Sequence, residues 1–375
     1  MREGRANDVF AENRKISLRQ LQILLLLDAF GTVVLFLPAE LAQVSGRGCW
    51  LAALAGGAVF AAVSLLLTAV GSKMPEGTAV EWCRFCFGDL VGGILLLGLA
   101  GKLLLDGAME LRLFSEVVCR AMLPNTPVWV ISLVILAVAG SLAAQGTECR
   151  GRTAEILFFL VPLPLVIILL AVAVSTRFDR VLPLMLPSFA GVKKGIGAMS
   201  ILFQGLTFLY FIFPDLRKPA MAKGAVLKSA VTTTILVTVI VFLCLAVYGE
   251  GVLSEKLLPT LQMMERVSFR GVFLTRQDIL LLWFWMASVC IFLSGVLFYG
   301  SLLGVRLCRQ QEEKRKNWLW GCLAAVFALS FLPENLSEAY RLRMQIAPWS
   351  NLFYLIILPL LLLLSAKRKG GRNDA

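Results

Sequence analysis

An apolar run near the start of the chain, residues 21–41, constrains the fold more than any other part of the sequence. It is long enough to cross a bilayer, because about 20 apolar residues that rise 1.5 Å each span roughly 30 Å. Asp28, Gly31 and Pro38 interrupt the run. A charge at mid-membrane is costly, and glycine and proline both weaken a helix. The run therefore predicts a membrane helix that is broken near its middle, with a kinked lipid-facing helix as the alternative.

Composition places the chain among polytopic membrane proteins. Its 375 residues are 58% hydrophobic and 16% charged, which excludes a soluble globular protein. The net charge of +12 is typical of basic cytoplasmic loops and does not predict nucleic-acid binding. Histidine is absent, and Cys83 and Cys86 form the only CxxC pair among nine cysteines. We therefore predict no metal site, no redox site and no cofactor.

The apolar segments predict an all-α protein with about ten membrane-spanning helices. A leader, residues 1–17, precedes the transmembrane domain, residues 18–366, and a basic tail, residues 367–375, follows it. Lys and Arg are more frequent on the side that carries both termini, so we expect both termini in the cytoplasm. The predicted segments, numbered one to ten, are 18–43, 49–70, 90–120, 127–145, 153–175, 193–214, 225–248, 277–305, 318–332 and 349–366.

Segment six repeats the pattern of segment one, with Gly205 in mid-run and Pro214 at its end. Two interrupted segments in the first and sixth positions of ten predict an inverted repeat of five plus five helices, with halves at about 18–175 and 193–366. In such transporters the broken helices meet at the bilayer midplane. There they hold the substrate through half-helix ends and freed carbonyl groups.

Segment three carries charged residues on one face. At 100° per residue they fall within an arc of about 160°, and the remaining face is apolar. Such a stripe is expected to face the bundle interior, and the four-residue spacings of Lys102 to Asp106 and of Arg112 to Glu116 allow both pairs to form. Lys102 and Asp106 are candidates for a ligand or ion path, with structural pairing as the alternative. The charges of the stripe are Lys102, Asp106, Glu110, Arg112, Glu116 and Arg120.

Two other regions leave their roles open. Ser288, Cys290 and Ser294 lie in segment eight, where hydroxyl groups more often bond their own helix than a ligand. The loop 249–276 is partly apolar, and a surface-lying helix, a lid, a re-entrant segment and a partner-binding segment are all compatible with it. Its apolar residues include Met263, Met264, Val267 and Phe273.

Short patterns spread over nearly the whole chain carry a family resemblance. They are Ile16-Ser17 with Gln20-Leu21, Gly31 with Leu35-Phe36-Leu37-Pro38, Glu110-x-Arg112 with Glu116, Leu123-Pro124-x-Thr126-Pro127, RTAEILF at 152–158, Phe213-Pro214, Pro259-Thr260-Leu261, Arg266, and Gly271-x-Phe273-Leu274-x-Arg276-x-Asp278. With these patterns the chain resembles the B subunit of bacterial spore germination receptors, within the amino-acid permease (APC) superfamily.

The resemblance implies a LeuT-like fold with broken helices 1 and 6 and a small nutrient, typically an amino acid, bound at the two breaks. It also implies a complex with an A subunit and a lipoprotein C subunit in the inner membrane of the spore, where occupancy signals germination. Asp28 and Thr275 depart from the family pattern, and Lys102 and Asp106 add charge to the expected pocket. A cationic or multiply aminated nutrient, or an acidic one, is therefore expected before a plain aliphatic one.

From these observations the sequence predicts a nutrient-binding sensor with its ligand between segments one, three, six and eight. A secondary transporter that couples an amino acid to H⁺ or Na⁺ is the alternative, and an intramembrane enzyme is disfavoured because no His or Cys/His pair supports the carboxylates. Structural or coupling charges are Glu110, Arg112, Glu116 and Glu155. The predicted ligand-binding residues are Asp28, Phe30, Gly31, Thr32, Lys102, Asp106, Gln204, Gly205, Thr207, Phe208, Ser288 and Phe292.

Overall fold

Segment one begins with a capping box and breaks where the sequence predicts. In this computed structural model Ser17 accepts a hydrogen bond from the Gln20 backbone N–H, and the Gln20 side chain accepts one from the Ser17 N–H. Helix α1, Leu18–Ala29, ends at Phe30, and helix α2, Val33–Ser45, continues the segment. The structure describes residues 15–31, 33–73, 77–160, 162–176, 178–181, 186–265 and 277–370.

The described residues are helical almost throughout, with one isolated bridge between Ile16 and Leu216. Helices α3, Cys49–Ser72, and α5, Val128–Gln145, correspond to segments two and four. Segment three lies in α4, Ala79–Ala121, and segment five consists of α6, Thr147–Leu160, and α7, Pro162–Ser175. Helix α6 begins at Thr147 and not at 153, so Arg150 lies in a helix. The predicted start of segment five at 153 is therefore wrong.

Segment six changes from an α-helix to a 3₁₀-helix where the sequence predicts a break in the helix. Helix α8, Phe189–Met199, passes directly into a 3₁₀-helix, Ser200–Tyr210, and Pro214 lies in a separate turn, Phe213–Asp215. A 3₁₀ stretch of this length is uncommon because its hydrogen bonds are poor. Here hydrogen bonds to segment ten support it: the Asn351 amide donates to the Ser200 carbonyl, and the Tyr210 hydroxyl donates to the backbone carbonyl of Tyr354.

The second half of the chain continues with long helices. Segment seven is α9, Ala222–Glu255, followed by the short α10, Pro259–Glu265, and by α11, Gln277–Leu307, which is segment eight. Segment nine is α12, Arg315–Ser330. Segment ten begins earlier than predicted, at α13, Leu336–Asn351, and continues through a π-helical stretch, Leu352–Ile357, into α14, Leu358–Gly370.

The centre of the bundle is formed by segments one, six and eight. All residues from Ser200 to Tyr210 are buried, as are most residues of α1 and of the second half of α11. The outward faces of α4 and α7 expose Leu90, Ile94 and Val174, as expected of helices that contact lipid. Among the described residues, six helical stretches are long and apolar enough to cross a membrane, and the count of ten spans stays a prediction. The two inverted halves also stay a prediction.

Part of the loop 249–276 packs against the break of segment one. Met263 and Met264 of α10 are fully buried, and the Thr260 hydroxyl donates to the Val34 carbonyl over 2.6 Å. The described part of the loop is therefore packed beside the start of α2, and the choice among the alternatives for this loop stays a prediction. Val267 and Phe273 lie outside the described residues.

Gly88 allows α4 to turn sharply between its first two turns and its membrane-spanning part. Its backbone has φ 79° and ψ 176°, a conformation that is essentially restricted to glycine. Nothing lies within 4 Å of a Cβ at Gly88 or at the helical Gly93, so backbone conformation alone distinguishes the two positions.

We expect Gly88→Ala to lower the free energy of unfolding by about 1–3 kcal/mol, since alanine strains this conformation. The matched variant Gly93→Ala should raise it by about 0.5–1 kcal/mol, because alanine favours a helix interior. Thermal unfolding in detergent, followed by tryptophan fluorescence, measures both. If both substitutions changed the free energy of unfolding equally, the kink at Gly88 would be contradicted.

Candidate functional site

The break in segment one lies against two polar side chains from other segments. A Cβ built on Gly31 would come within 2.5 Å of Glu110 Oε1 and 3.3 Å of Gln204 Nε2. A side chain at position 31 would have to displace the Glu110 carboxylate, so the glycine lets the carboxylate of segment three and the amide of segment six come close to the broken backbone. Thr32, the next predicted ligand contact, lies outside the described residues.

Glu110 belongs to a buried cluster of three side chains. Arg343 Nη1 donates to Glu110 Oε2 over 2.6 Å, Gln204 Nε2 donates to the same oxygen over 3.3 Å, and Arg343 Nη2 donates to Gln204 Oε1. Glu110 and Arg343 are almost completely buried. The cluster joins segments three, six and ten at the level of the break.

The sequence pattern predicts no role for Arg343, because this residue falls in the predicted loop before segment ten. A capping signal at the true start of the helix was available. Asn335 accepts a hydrogen bond from the Glu338 N–H, and an Asn followed three residues later by Glu is typical of a helix N-terminus. With the helix begun at Leu336, Arg343 becomes a membrane residue that needs an acid partner.

Asp28 forms the second buried ion pair, with Arg150. Arg150 Nη2 lies 2.6 Å from Asp28 Oδ1 and 2.7 Å from Oδ2, and both side chains are about 1% exposed. Gly205 faces the backbone of Asp28, which brings segments one and six into contact at this level. Asp28 is therefore neutralised within the protein and is not an open carboxylate.

Lys102 and Asp106 pair as their spacing predicts. Lys102 Nζ lies 2.5 Å from Asp106 Oδ2 and 3.3 Å from the Thr207 hydroxyl. The Lys102 side chain is 2% exposed and the Asp106 side chain 14%, so Asp106 is the most accessible carboxylate of the three clusters. This pair joins segment three to the 3₁₀-helix of segment six.

Aromatic rings fill the space between these clusters. Phe208 contacts Phe292 and Tyr299 with ring centroids 5.6 and 5.2 Å apart. Phe30 is buried at the end of α1. Ser288 lies one turn before Phe292 and is also buried, and among the described residues its hydroxyl has no hydrogen-bond partner. The structure thus brings the described members of the predicted set to one region of the bundle.

The remaining predicted charges lie towards the ends of their helices. Arg112 pairs with Glu116 over 3.0 Å, Glu116 also contacts Arg120, and Arg112 donates to the Glu334 carbonyl. Glu155 accepts a hydrogen bond from Gln20 and pairs with Arg19 at the start of α1. Arg112, Glu116 and Glu155 are thus paired within the protein, and their structural or coupling roles stay a prediction.

One cavity lies beside the end of segment six and another beside the end of segment one, and both are lined in part by charged residues. The Asp215 vestibule, about 610 Å³, is lined by residues that include Thr147, Asp215, Arg306 and Arg315. Burial raises the pKa of Asp215, and a hydrogen bond from the Thr147 hydroxyl partly opposes this shift. The Glu40 vestibule, about 370 Å³, is lined by residues that include Phe36, Glu40, Lys256 and Tyr340. Phe36 and Tyr340 stack at 4.8 Å, one turn from Arg343 on α13.

Comparison with known families identifies the chain. A family model described as spore germination protein matches residues 15–339. The chain belongs to this family. Among Bacillus subtilis (strain 168) relatives, spore germination protein YndE is 24% identical, with 97% of this chain and 100% of YndE covered. Spore germination protein B2 is also 24% identical, with 87% of this chain and 89% of B2 covered. The predicted resemblance is confirmed.

Solved transporter structures show the same fold. MhsT in complex with L-phenylalanine has a TM-score of 0.65 at 14% identity, with 92% of this chain and 88% of MhsT covered. Mhp1, a nucleobase-cation-symport-1 family transporter in a closed conformation with bromovinylhydantoin bound, has a TM-score of 0.65 at 12% identity, with coverages of 91% and 78%. These likenesses confirm the LeuT-like fold of this member of the spore germination protein family.

We expect Glu110→Gln to lower the free energy of unfolding by about 3–5 kcal/mol, because it leaves the buried Arg343 without a counter-ion. The matched variant Glu116→Gln, on the same helix, should cost clearly less, since Arg112 keeps the Glu334 carbonyl. Thermal unfolding in detergent compares them. If the two losses were equal, the Glu110 cluster would not be a principal support of the fold.

Proposed function

We propose that this protein is the nutrient-binding, germinant-sensing membrane subunit of a spore germination receptor. The observation that carries the proposal is the broken backbone at Phe30–Gly31, which faces Glu110 and Gln204 inside a LeuT-like bundle. Backbone breaks at membrane depth occur where they line a binding site or are buried in protein. The likeness to MhsT, whose structure contains L-phenylalanine, supports an amino acid or a similar small nutrient as the ligand.

In this proposal the nutrient binds at the midplane between segments one, three, six and eight. Backbone groups around the two irregular segments meet its ammonium and carboxylate groups, with the N-terminal end of α2 favouring the carboxylate. Asp106 and Lys102 tune specificity, because Asp106 is paired but still partly accessible. Asp28 and Glu110 act mainly by holding the break in place through their arginine partners.

Binding would signal by shifting a conformational equilibrium. A ligand changes the populations of two states only by the difference between its affinities for them. We propose that the change passes to a receptor A subunit and a lipoprotein C subunit, through the loop around α10 or the loop between segments six and seven. The complex would lie in the inner membrane of a bacterial spore, with both termini of this chain in the cytoplasm.

The test of the site is a nutrient panel with matched variants. We expect a subset of amino acids, or amines related to them, to raise the unfolding temperature of the purified parent protein. Asp106→Asn should weaken binding of a cationic nutrient at least tenfold in Kd, because it removes the accessible carboxylate. Glu116→Gln, which alters a carboxylate of the same helix outside the proposed site, should leave Kd unchanged. Unchanged Kd for Asp106→Asn would show that the nutrient binds elsewhere.

A secondary transporter is the second candidate, because the solved neighbours of this fold include a cation symporter. A sensor is expected to bind its nutrient without accumulating it. We therefore expect proteoliposomes that contain this chain alone to show no uptake of a radiolabelled nutrient above empty liposomes, with either a proton or a sodium gradient. Gradient-driven accumulation by the parent protein would favour the transporter instead.

A further inference from the structure

Arg150 lies at a position where the electrostatics favour a cation. Its guanidinium contacts Asp28 at the C-terminal end of α1, next to the break. The C-terminal end of a helix carries partial negative charge, and the Asp28 carboxylate adds a full one. In transporters with broken helices, such ends and the carbonyl groups beside them coordinate a coupling cation.

We propose that Arg150 is a built-in cation that takes the place of a dissociable coupling ion at the break of segment one, and that a small cation can replace its side chain when it is removed. On the proposed function, nutrient binding then requires neither sodium nor potassium. A cation that is part of the chain is always present, which suits a sensor that responds to the nutrient alone.

The contacts of Arg150 are those of a cation site. Nη2 is shared by both carboxylate oxygens of Asp28, and Nε donates to the Ile291 carbonyl over 3.1 Å. The guanidinium lies over the Phe208 ring at 4.8 Å, an arrangement that stabilises cations. The carboxylate belongs to segment one, the carbonyl to segment eight and the aromatic ring to segment six. The Arg150 guanidinium therefore links three segments.

The surrounding packing is fitted to the guanidinium. A Cβ built on Gly295 would come within 2.7 Å of Nη2 and 2.8 Å of the guanidinium carbon. Arg150 is 1% exposed, and among the described residues its Nη1 has no hydrogen-bond partner. The site therefore holds the guanidinium by charge, by close packing and by a few hydrogen-bond acceptors, and truncation to alanine would leave a cavity that contains the Asp28 carboxylate and the Ile291 carbonyl.

The test measures stability, so it requires no knowledge of the nutrient. Arg150→Ala is compared with Arg152→Ala, which truncates a largely exposed arginine two residues away on the same helix. Thermal unfolding in detergent is followed at constant ionic strength, with choline chloride replaced stepwise by millimolar guanidinium, methylguanidinium, sodium or potassium. We expect Arg150→Ala to unfold at a lower temperature in choline and to recover at least half of the loss, saturably, with guanidinium or another small cation.

The controls separate a cation site from an ordinary structural ion pair. The parent and Arg152→Ala should show the same unfolding temperature in all of these salts, and Arg150→Ala combined with Asp28→Asn should show no recovery. Loss of stability in Arg150→Ala without recovery by any cation would overturn the proposal, as would an equal cation effect in Arg152→Ala.

A second measurement covers the case in which Arg150→Ala does not fold. The parent protein itself is titrated with sodium and with potassium against choline, and Arg150→Lys is examined in the same way. We expect no saturable stabilisation of either protein. Sodium-specific stabilisation of the parent would show that the coupling-ion position lies elsewhere and is still vacant, and this would overturn the proposal whether or not the chain senses a nutrient.

Discussion

The need to neutralise carboxylates inside an apolar bundle determines how the helices of this protein are arranged. Asp28 and Glu110 are both fully buried, and an unpaired carboxylate at such a position would be strongly destabilising. Each meets an arginine from a distant segment, Arg150 and Arg343. Because apolar packing between membrane helices has little directionality, these pairs specify which segments are neighbours and at what depth they meet.

The irregular backbone depends on the same contacts. Broken or tightly wound segments are tolerated at membrane depth only where protein groups surround them and satisfy their polar atoms. The break of segment one is closed in by Glu110 and Gln204, and the 3₁₀-helix of segment six receives a hydrogen bond from Asn351 at its first carbonyl. The π-helical stretch of segment ten in turn offers the Tyr354 carbonyl to Tyr210. Each of the three irregular segments is therefore stabilised by contacts with another of them.

Sequence patterns were sufficient for features that depend on nearby residues. The interruption at Gly31 predicts the break, and four-residue spacing predicts the Lys102–Asp106 and Arg112–Glu116 pairs. Patterns were insufficient for partners far apart in sequence, since Asp28 and Arg150 are separated by 122 positions and Glu110 and Arg343 by 233. Arg150 lies in the first turn of α6 and Arg343 two turns into α13, and both precede the predicted starts of their segments, where basic residues are ordinarily assigned to loops.

The difference between contacts of nearby residues and contacts of distant ones also explains the structure of segment six. Gly205 and Pro214 predict a weak helix, but the form of the weakness depends on residues of segment ten that no local pattern connects to it. Asn351 and Tyr354 favour a continuous 3₁₀ winding over a gap. The position of the irregularity is therefore a local property of the sequence, whereas its geometry is a property of the packed bundle.

The three charge clusters differ in how fully they are enclosed. Two of them, at Asp28 and Glu110, are closed on all sides and link segments one, three, five, six, eight and ten into a frame. Among the described residues the third, at Lys102, joins segments three and six, and its Asp106 side chain remains partly accessible. On the proposed function, a ligand that competes for Lys102 or Asp106 would loosen this link while the frame stays intact. The 3₁₀-helix would then shift relative to segment three, and two packed arrangements of one element are the usual basis of a switch.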